Sequence, residues 1–346
     1  MRLTPIWRAA CWAALAGGIL QAAQDRILGP VDTGYLKAAP GHVHPLARAE
    51  YNRGPADSAM PLSYVTLYFK LDSSIEQFLD ELQIPSSANY RKWLTPAQFG
   101  QRFGLSDADA AKVTAWLQTM GLQVHDVARG RHWVTFSGTA ASVGKALRTS
   151  FRRYEVDGKM HFANATQPMI PAAFEPVVAG FGGLDDFGPE SQAISTPIAS
   201  PSYNLGSGHY LAPDDFAAIY NLTPLYAAGI DGTGQKIAII GRTDVDLADI
   251  RAFRKRFNLP AKDPQLVLFG ADPGTSAGDL TEADLDLEWS GAIAKNATII
   301  YVYSRGINTS VQYAVDQNIL QLHAELLIGE VGLFRALGGG WSMEAS

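Results

Sequence analysis

The sequence contains a single cysteine, Cys11, which excludes an internal disulfide and a cysteine-based metal site. The net charge is only −6, and basic residues are not clustered as they are in nucleic-acid-binding proteins. The apolar run Ala9–Leu20 is shorter than the roughly 20 residues that a membrane-spanning helix needs. The 346 residues, 47% hydrophobic and 18% charged, have the composition of a globular protein with room for two domains.

The N-terminus has the pattern of a signal peptide, which we place at residues 1–23. Arg2 and Arg8 give a positively charged start to the apolar run, and the small residues Ala22 and Ala23 suit cleavage. Cys11 lies inside the run and not at a cleavage point, which argues against a lipoprotein anchor. We therefore expect secretion to the periplasm or the medium. The alternative is an N-terminal core helix.

Residues 41–187 alternate between strand and helix patterns, with hairpins between neighbouring strands. Ser106 is a predicted helix N-cap, and Asp157-Gly158 is a predicted hairpin turn. Strands are predicted at Tyr64–Lys70, Leu122–Ala128, His132–Phe136, Phe151–Val156 and Lys159–Phe162, and helices at Ser73–Leu82, after Ser106 and at Ala140–Leu147. This mixture predicts an α+β domain of ferredoxin-like type.

The chain changes character at residues 188–208, which are rich in Ser, Pro, Gly and Ala and indicate an exposed, protease-sensitive linker. Residues 209–318 then alternate between strands and helices, which predicts an α/β unit with a doubly wound parallel sheet. The strands are predicted at Lys236–Ile240, Gln265–Phe269 and Thr298–Tyr303, and the helices at Leu247–Phe257, Leu280–Ala294 and Ser310–Gln317.

Several motifs, in order, resemble one known family. Tyr90–Phe99 (YRKWLTPAQF), Gln101–Gly104 (QRFG), Ala163-Asn164, Ile170-Pro171 and Gly182–Phe187 (GGLDDF) resemble the pro-kumamolisin activation domain. Leu211–Phe216 (LAPDDF), Ile219–Leu222 (IYNL) and Glu282–Trp289 (EADLDLEW) resemble the start of the sedolisin catalytic domain. The resemblance implies a secreted serine-carboxyl endopeptidase with a subtilisin-like fold, active in acid. It further implies that the activation domain assists folding and inhibits the enzyme until it is cleaved.

Glu282 and Asp286 are four residues apart on a predicted helix, so both carboxylates project from one face. Two close carboxylates do not both ionise easily and titrate as a unit. The resemblance assigns Glu282 as the general base for a serine and Asp286 as the group that orients and tunes it. By spacing alone, such a pair is common on a solvated helix face. Asp284 and Glu288 point elsewhere on this helix, and we expect them to be solvated.

The resemblance also implies a nucleophilic serine and an oxyanion aspartate, and we assign neither in this sequence. Ser276, in Gly274–Ala277 (GTSA), is similar to the family's nucleophile motif. It precedes Glu282 in the sequence, however, whereas the family's serine comes far after the glutamate. We expect the chain to end before that serine, and the family's calcium site to lie beyond Ser346; no cofactor is predicted within the chain. Residues 319–346 depart from the family pattern, which suggests a frameshift or early stop, or a genuinely shortened protein.

Three functions remain open at this point. The first is a sedolisin-type endopeptidase precursor that acts on protein or peptide substrates, pairs with its own activation domain, and is inactive as this chain. The second is a stand-alone activation domain that inhibits or chaperones a related peptidase. The third is a non-functional gene remnant, in which the region after Gly208 should be poorly soluble because half a parallel sheet leaves unpaired edges. Binding to nucleic acid and a membrane span in the mature form are not expected.

Overall fold

The computed structural model describes residues 23–39, 43–188, 203–205, 208–317 and 319. The predicted signal peptide apart from residue 23, most of the predicted linker, and the predicted tail apart from Ile319 lie outside the described residues. Cys11 lies outside them as well. In the described part of the chain, an antiparallel unit is followed by a parallel-sheet unit.

The antiparallel unit contains three sheets; two of its helices pack on the largest of them, and the other two form a separate small cluster. Its strands are β1 (Leu36–Ala38), β2 (Asn52–Pro55), β3 (Pro61–Phe69), β4 (Gln123–Val127), β5 (Trp133–Thr139), β6 (Phe151–Val156), β7 (Lys159–Asn164), β8 (Met169–Pro171) and β9 (Val178–Gly182). Its α-helices are α1 (Ser74–Gln83), α2 (Pro96–Phe103), α3 (Asp107–Thr119) and α4 (Ala140–Leu147).

The largest sheet has the order β4-β5-β3-β9, and every neighbouring pair is antiparallel. Residues along β3 alternate between its two faces. Val65 and Leu67 are fully buried in the main core, which α3 and α4 cover. Tyr64 and Tyr68 belong to the opposite face, where they pack in a separate aromatic cluster with Phe269 of the parallel-sheet unit.

Two local predictions in this unit are confirmed in detail. The Ser106 hydroxyl accepts a hydrogen bond from the Asp109 amide at 3.1 Å and so caps α3. Asp157 and Gly158 both have positive φ, 51° and 75°, and join β6 to β7 as a tight turn. Helix α2 was not among the predicted elements, although Thr95 and Gln98 form a capping box there with Pro96 at the first helical position.

Residues before the predicted boundary at residue 41 also contact the antiparallel unit. Asp109 accepts hydrogen bonds from the backbone amides of Arg26 and Ile27, and the Ile27 side chain is only 1% exposed. Strand β1 then pairs with β8, more than 130 residues along the chain. Contacts of such long range leave no local pattern in the sequence, so periodicity does not predict them.

The parallel-sheet unit follows a short antiparallel hairpin that spans the boundary between the predicted linker and the predicted catalytic part. Its strands, with those of the hairpin, are β10 (Tyr203–Leu205), β11 (Gly208–Tyr210), β12 (Lys236–Gly241), β13 (Gln265–Leu268) and β14 (Thr298–Tyr303). Its helices are α5 (Pro213–Ile219), α6 (Thr223–Ala227), α7 (Leu247–Arg256), α8 (Ala277–Ile293) and α9 (Ile307–Asp316). None of the helices in the described part of the chain is long and apolar enough to cross a bilayer.

The predicted parallel sheet is present, with the order β12-β14-β13 and helices on both faces. Ile250 of α7 and Leu287 of α8 share one core cluster with Tyr301, whereas Ala314 of α9 packs against Val302 on the other face. From β12 the chain crosses the sheet through α7 to β13, at the far edge. From β13 it returns through α8 to the central strand β14, so the two crossovers run in opposite directions. Because both helices lie on the same face, the two crossovers have opposite hands, and one departs from the usual right-handed rule.

Candidate active site

Helix α8 carries the two carboxylates that the sequence singled out. Ala283 and Leu287 are 6% and 2% exposed and turn one face of the helix towards the sheet. Glu282 and Asp286 each directly precede one of these buried residues, and both line a cavity at the end of the sheet. The four-residue spacing places them on the same side of the helix, one turn apart.

The cavity has a volume of about 580 Å³ and lies between the two units. The antiparallel unit contributes the start of β3 and the segment Gly182–Gly188, and the parallel-sheet unit contributes the carboxyl ends of β12 and β14 with the first half of α8. Ligand sites at the carboxyl ends of parallel strands are common in α/β folds. The charged residues that line this cavity are Asp185, Asp186, Arg242, Asp279, Glu282, Asp286 and Arg305.

The carboxylate pair is electrostatically coupled. Both side chains are solvent-exposed at the cavity wall, and desolvation by the surrounding protein and, next, the negative charge of Glu282 raise the pKa of Asp286 above its usual range. A carboxyl group in this position holds its proton to higher pH than an isolated one, so the two carboxylates are able to share a proton. The arrangement is therefore able to accept a proton from a hydroxyl group placed beside Glu282.

Ser276 lies apart from this arrangement. It is the N-cap residue of α8, its amide donates a hydrogen bond to the Thr243 hydroxyl at 3.0 Å, and its side chain is exposed. The residues that line the cavity with Glu282 do not include Ser276. The structure thus does not bring the GTSA serine together with the carboxylate pair.

The expectation that Asp284 and Glu288 are solvated is wrong. Both are half-buried because this side of α8 packs against α7. Burial, followed by the charges of Asp284 and Asp249, raises the pKa of Glu288 to about 7. The pKa of Asp284 is also raised, first by burial and then by Asp249 and Asp246. These acids form a second group on α8, on the other side from the cavity.

Comparisons with known proteins agree with the resemblance in the sequence. Residues 50–187 match the family model described as "Pro-kumamolisin, activation domain". Xanthomonalisin from Xanthomonas sp. (strain T-22) is 29% identical over 239 residues, which are 65% of this chain and 28% of that protein. Sedolisin from Pseudomonas sp. (strain 101) is 23% identical over 278 residues, 78% of this chain and 47% of that protein. The chain is thus similar to sedolisin-family peptidases, and its residues 50–187 match an activation pro-domain. It spans less than half the length of these two relatives.

The unit that matches the activation domain, called the pro-domain from here on, reaches the cavity through its last residues. The Phe187 ring lies between two imidazoles, stacked on His44 at 4.3 Å and on His161 at 4.5 Å between ring centroids. Burial raises the pKa of the neighbouring Asp185, while His44 opposes the rise. The next residue, Gly188, lies so close to Arg242 that an added Cβ would stand 2.9 Å from its Nη1. The end of the pro-domain is thus anchored directly beside the carboxylate pair.

The pro-domain also contacts the parallel-sheet unit through an aromatic interface. Phe269, which follows β13, stacks on Tyr313 of α9 at 4.2 Å and meets Tyr64 edge-on at 5.6 Å. Trp133, on β5, lies 5.9 Å from the same ring. These contacts hold the outer face of the pro-domain sheet against α9 and the end of β13.

The cavity residues Arg242 and Asp279 were not predicted from the sequence. Arg242 directly follows β12, and Asp279 lies three residues before Glu282 on the same helix face. The position of Arg242 just beyond a predicted parallel strand and the spacing of Asp279 from Glu282 were available signals. Neither residue belongs to the motifs that carried the resemblance, so neither was selected.

Proposed function

We propose that this chain belongs to the precursor of a secreted serine-carboxyl endopeptidase that hydrolyses peptide bonds in acid. Glu282 is its general base and Asp286 is the partner that orients and tunes it. The observation that carries the proposal is the position of this coupled pair, on one face of α8, in a cavity that the pro-domain helps to enclose. The match of residues 50–187 to an activation domain supports the reading as a peptidase precursor.

The proposed chemistry is proton transfer from a serine hydroxyl to Glu282 as the hydroxyl attacks a peptide carbonyl. Asp286, whose pKa is raised, is the member that holds the shared proton and donates it in a hydrogen bond, which leaves the Glu282 carboxylate able to act as a base. This role corresponds to that of histidine in neutral serine proteases. We assign the nucleophile and the oxyanion group to no residue of this chain, and hydrolysis by the chain alone is therefore not expected.

We propose a ferredoxin-like fold for the pro-domain and a subtilisin-like one for the catalytic part. The first is supported by the chain order β3, helices, β4, β5, α4, β9 and the sheet order β4-β5-β3-β9, an antiparallel split βαβ arrangement. The second is supported by the parallel order β12-β14-β13 with helices on both faces. Both folds agree with the family to which the chain is similar.

The pro-domain has the position of a zymogen inhibitor. Its exit segment, Asp185–Gly188, forms part of the cavity wall, so a substrate peptide would have to displace it. Secretion is proposed from the signal-peptide pattern of residues 1–23. The proposed partners are a protein or peptide substrate and, before activation, the chain's own pro-domain.

The alternative, a pro-domain that inhibits or chaperones a related peptidase in trans, has less support. The aromatic face that would bind another catalytic domain is already covered within the chain by Phe269 and Tyr313. Inhibition of sedolisin by the full chain at acid pH, at sub-micromolar concentration, would favour this alternative. The same assay with Phe269→Ala, which loosens the internal contact, should then give stronger inhibition.

A titration of the Asp286 carboxyl group tests the proposed pair. The midpoint is followed by carbon-13 NMR in the full chain and in Glu282→Gln, with Glu288→Gln as the control on the other side of the helix. We expect Glu282→Gln to lower the midpoint of Asp286 and Glu288→Gln to leave it unchanged, because Glu282 lines the cavity with Asp286 and Glu288 does not. An unchanged midpoint in Glu282→Gln would overturn the proposal.

Peptide hydrolysis at acid pH gives a second test of the same assignment. Hydrolysis that persists in Glu282→Gln would contradict the general-base role. Hydrolysis that is lost in Glu282→Gln but survives Ser276→Ala would instead show that the chain contains a nucleophile that we have not identified.

A further inference from the structure

The cavity face of α8 carries three carboxylates and not two. Asp279, Glu282 and Asp286 occupy positions i, i+3 and i+7, which follow one side of a helix, and all three line the cavity. Asp279 stands in the first turn, next to Glu282 along this stripe. At this spacing Asp279 and Glu282 are neighbours on the helix surface, and an uncompensated negative charge at Asp279 would oppose the ionisation of the pair.

Asp279 is held by an arginine from the sheet. Both Nε and Nη2 of Arg242 lie 2.9 Å from Asp279 Oδ1. The Asp279 side chain is 15% exposed and that of Arg242 is 26% exposed, so this ion pair is largely shielded from water. The contact arises because β12 ends at Gly241 at the same edge of the sheet where α8 begins.

We propose that Arg242 is a positioning residue for the carboxylate pair: it takes up the charge of Asp279, so that Glu282 and Asp286 share a proton as two carboxylates and not as three. The proposal rests on the function proposed above. Arg242 lies outside the family motifs and would act on the proposed chemistry through its ion pair with Asp279, not through contact with substrate.

The other charged groups around the pair do not replace Arg242. Arg305, beyond β14, is exposed and reaches the Asp272 carbonyl only at 3.5 Å. Asp185 and Asp186 face the cavity from the pro-domain, with His44 and His161 behind them. Departure of the pro-domain would remove these four groups together. The ion pair of Arg242 with Asp279 would remain, since both residues belong to the parallel-sheet unit.

The test is the titration of Glu282 and Asp286 in the full chain with Arg242→Gln. This change leaves Asp279 uncompensated, and we expect the pair's midpoints to rise by roughly half a unit to one unit. The double variant Arg242→Gln/Asp279→Asn should return them towards the values of the unmodified chain. A purely structural tie between β12 and α8 would not predict this recovery, because the double variant also lacks the tie.

Asp279→Asn alone gives an independent arm if Arg242→Gln does not fold. It leaves Arg242 without its counter-charge, so the midpoints should fall, in the opposite direction. Arg251→Gln, which removes the exposed ion pair with Asp263, is the matched control and should leave them unchanged. If the titration midpoints of Glu282 and Asp286 move in neither Arg242→Gln nor Asp279→Asn, the inference is overturned. If they stay constant while Glu282→Gln still moves Asp286, the proposed function stands and only the role of Arg242 falls.

Discussion

Asp316, at the end of α9, accepts a hydrogen bond from the backbone amide of Gly130 in the pro-domain at 2.8 Å. Asp316 is only 1% exposed, so this hydrogen bond joins the two units at a place shielded from water. The pro-domain groups around it respond to its charge. Burial and then Asp316 raise the pKa of Asp126, whereas burial lowers the pKa of His132 and Asp316 opposes that change.

Replacement of Asp316 should therefore weaken the contact between the units. We expect Asp316→Ala to lower the free energy of unfolding by about 1.5–3 kcal/mol, the range for a buried hydrogen bond to a charged group. Urea unfolding at neutral pH measures the change. Asp214→Asn, at a side chain that is 91% exposed, is the control and should stay near the unmodified chain. Equal stability of Asp316→Ala and the unmodified chain would contradict this prediction.

Phe269 should be the strongest single apolar contribution to the same interface. It is 8% exposed and touches aromatic rings from both units, so Phe269→Ala leaves a cavity that neither side can easily fill. We expect a loss of about 3–5 kcal/mol in urea unfolding. Leu268→Ala is the matched control, since the neighbouring Leu268 side chain is 41% exposed and should cost far less. Similar losses for the two variants would show that Phe269 is not an interface anchor.

The elements predicted correctly are those whose signals are local. Ser106 caps α3 through a hydrogen bond to a residue three positions away, and Asp157-Gly158 forms a turn within four residues. The strands of the parallel sheet are rich in β-branched residues and could be read one at a time. In contrast, the pairing of β1 with β8 depends on contacts that the linear sequence does not display.

The candidate site shows the same limit. The placement of Glu282 and Asp286 on one helix face follows from their spacing, so it could be predicted. The environment of Glu288 could not, because it depends on where α7 packs against α8. The role of Arg242 depends on the meeting of a strand end and a helix start, which only the folded chain reveals.

The N-cap of α3 offers a small and well-controlled test of local stability. Ser106→Ala removes the side-chain acceptor for the Asp109 amide and should lower the free energy of unfolding by about 0.5–2 kcal/mol. Ser73 occupies the equivalent position before α1 but makes no capping hydrogen bond. Ser73→Ala is therefore the control, with an expected change within about 0.5 kcal/mol. Equal losses in the two variants would contradict the capping role of Ser106.

Glu288 should make the chain more stable in acid than at neutral pH. Its pKa is about 7 in the folded chain against an ordinary value of 4.5, so the folded state binds the proton more tightly than the unfolded state. Between these two pH values the unfolded state loses its proton first, and stability falls as the pH rises from about 4.5 to about 7. Above that range both states are ionised, and this contribution no longer changes.

Replacement of Glu288 by glutamine removes that part of the pH dependence. We expect the difference in urea midpoint between the two ends of this range to be smaller in Glu288→Gln than in the unmodified chain, with the gain in stability appearing at the neutral end. Glu76→Gln, at an exposed position on α1, is the control and should keep the original pH dependence. An unchanged pH dependence in Glu288→Gln would mean that α7 and α8 do not bury this carboxyl group together with Asp249 and Asp284. Such a result would restore the simpler view that this side of α8 is solvated.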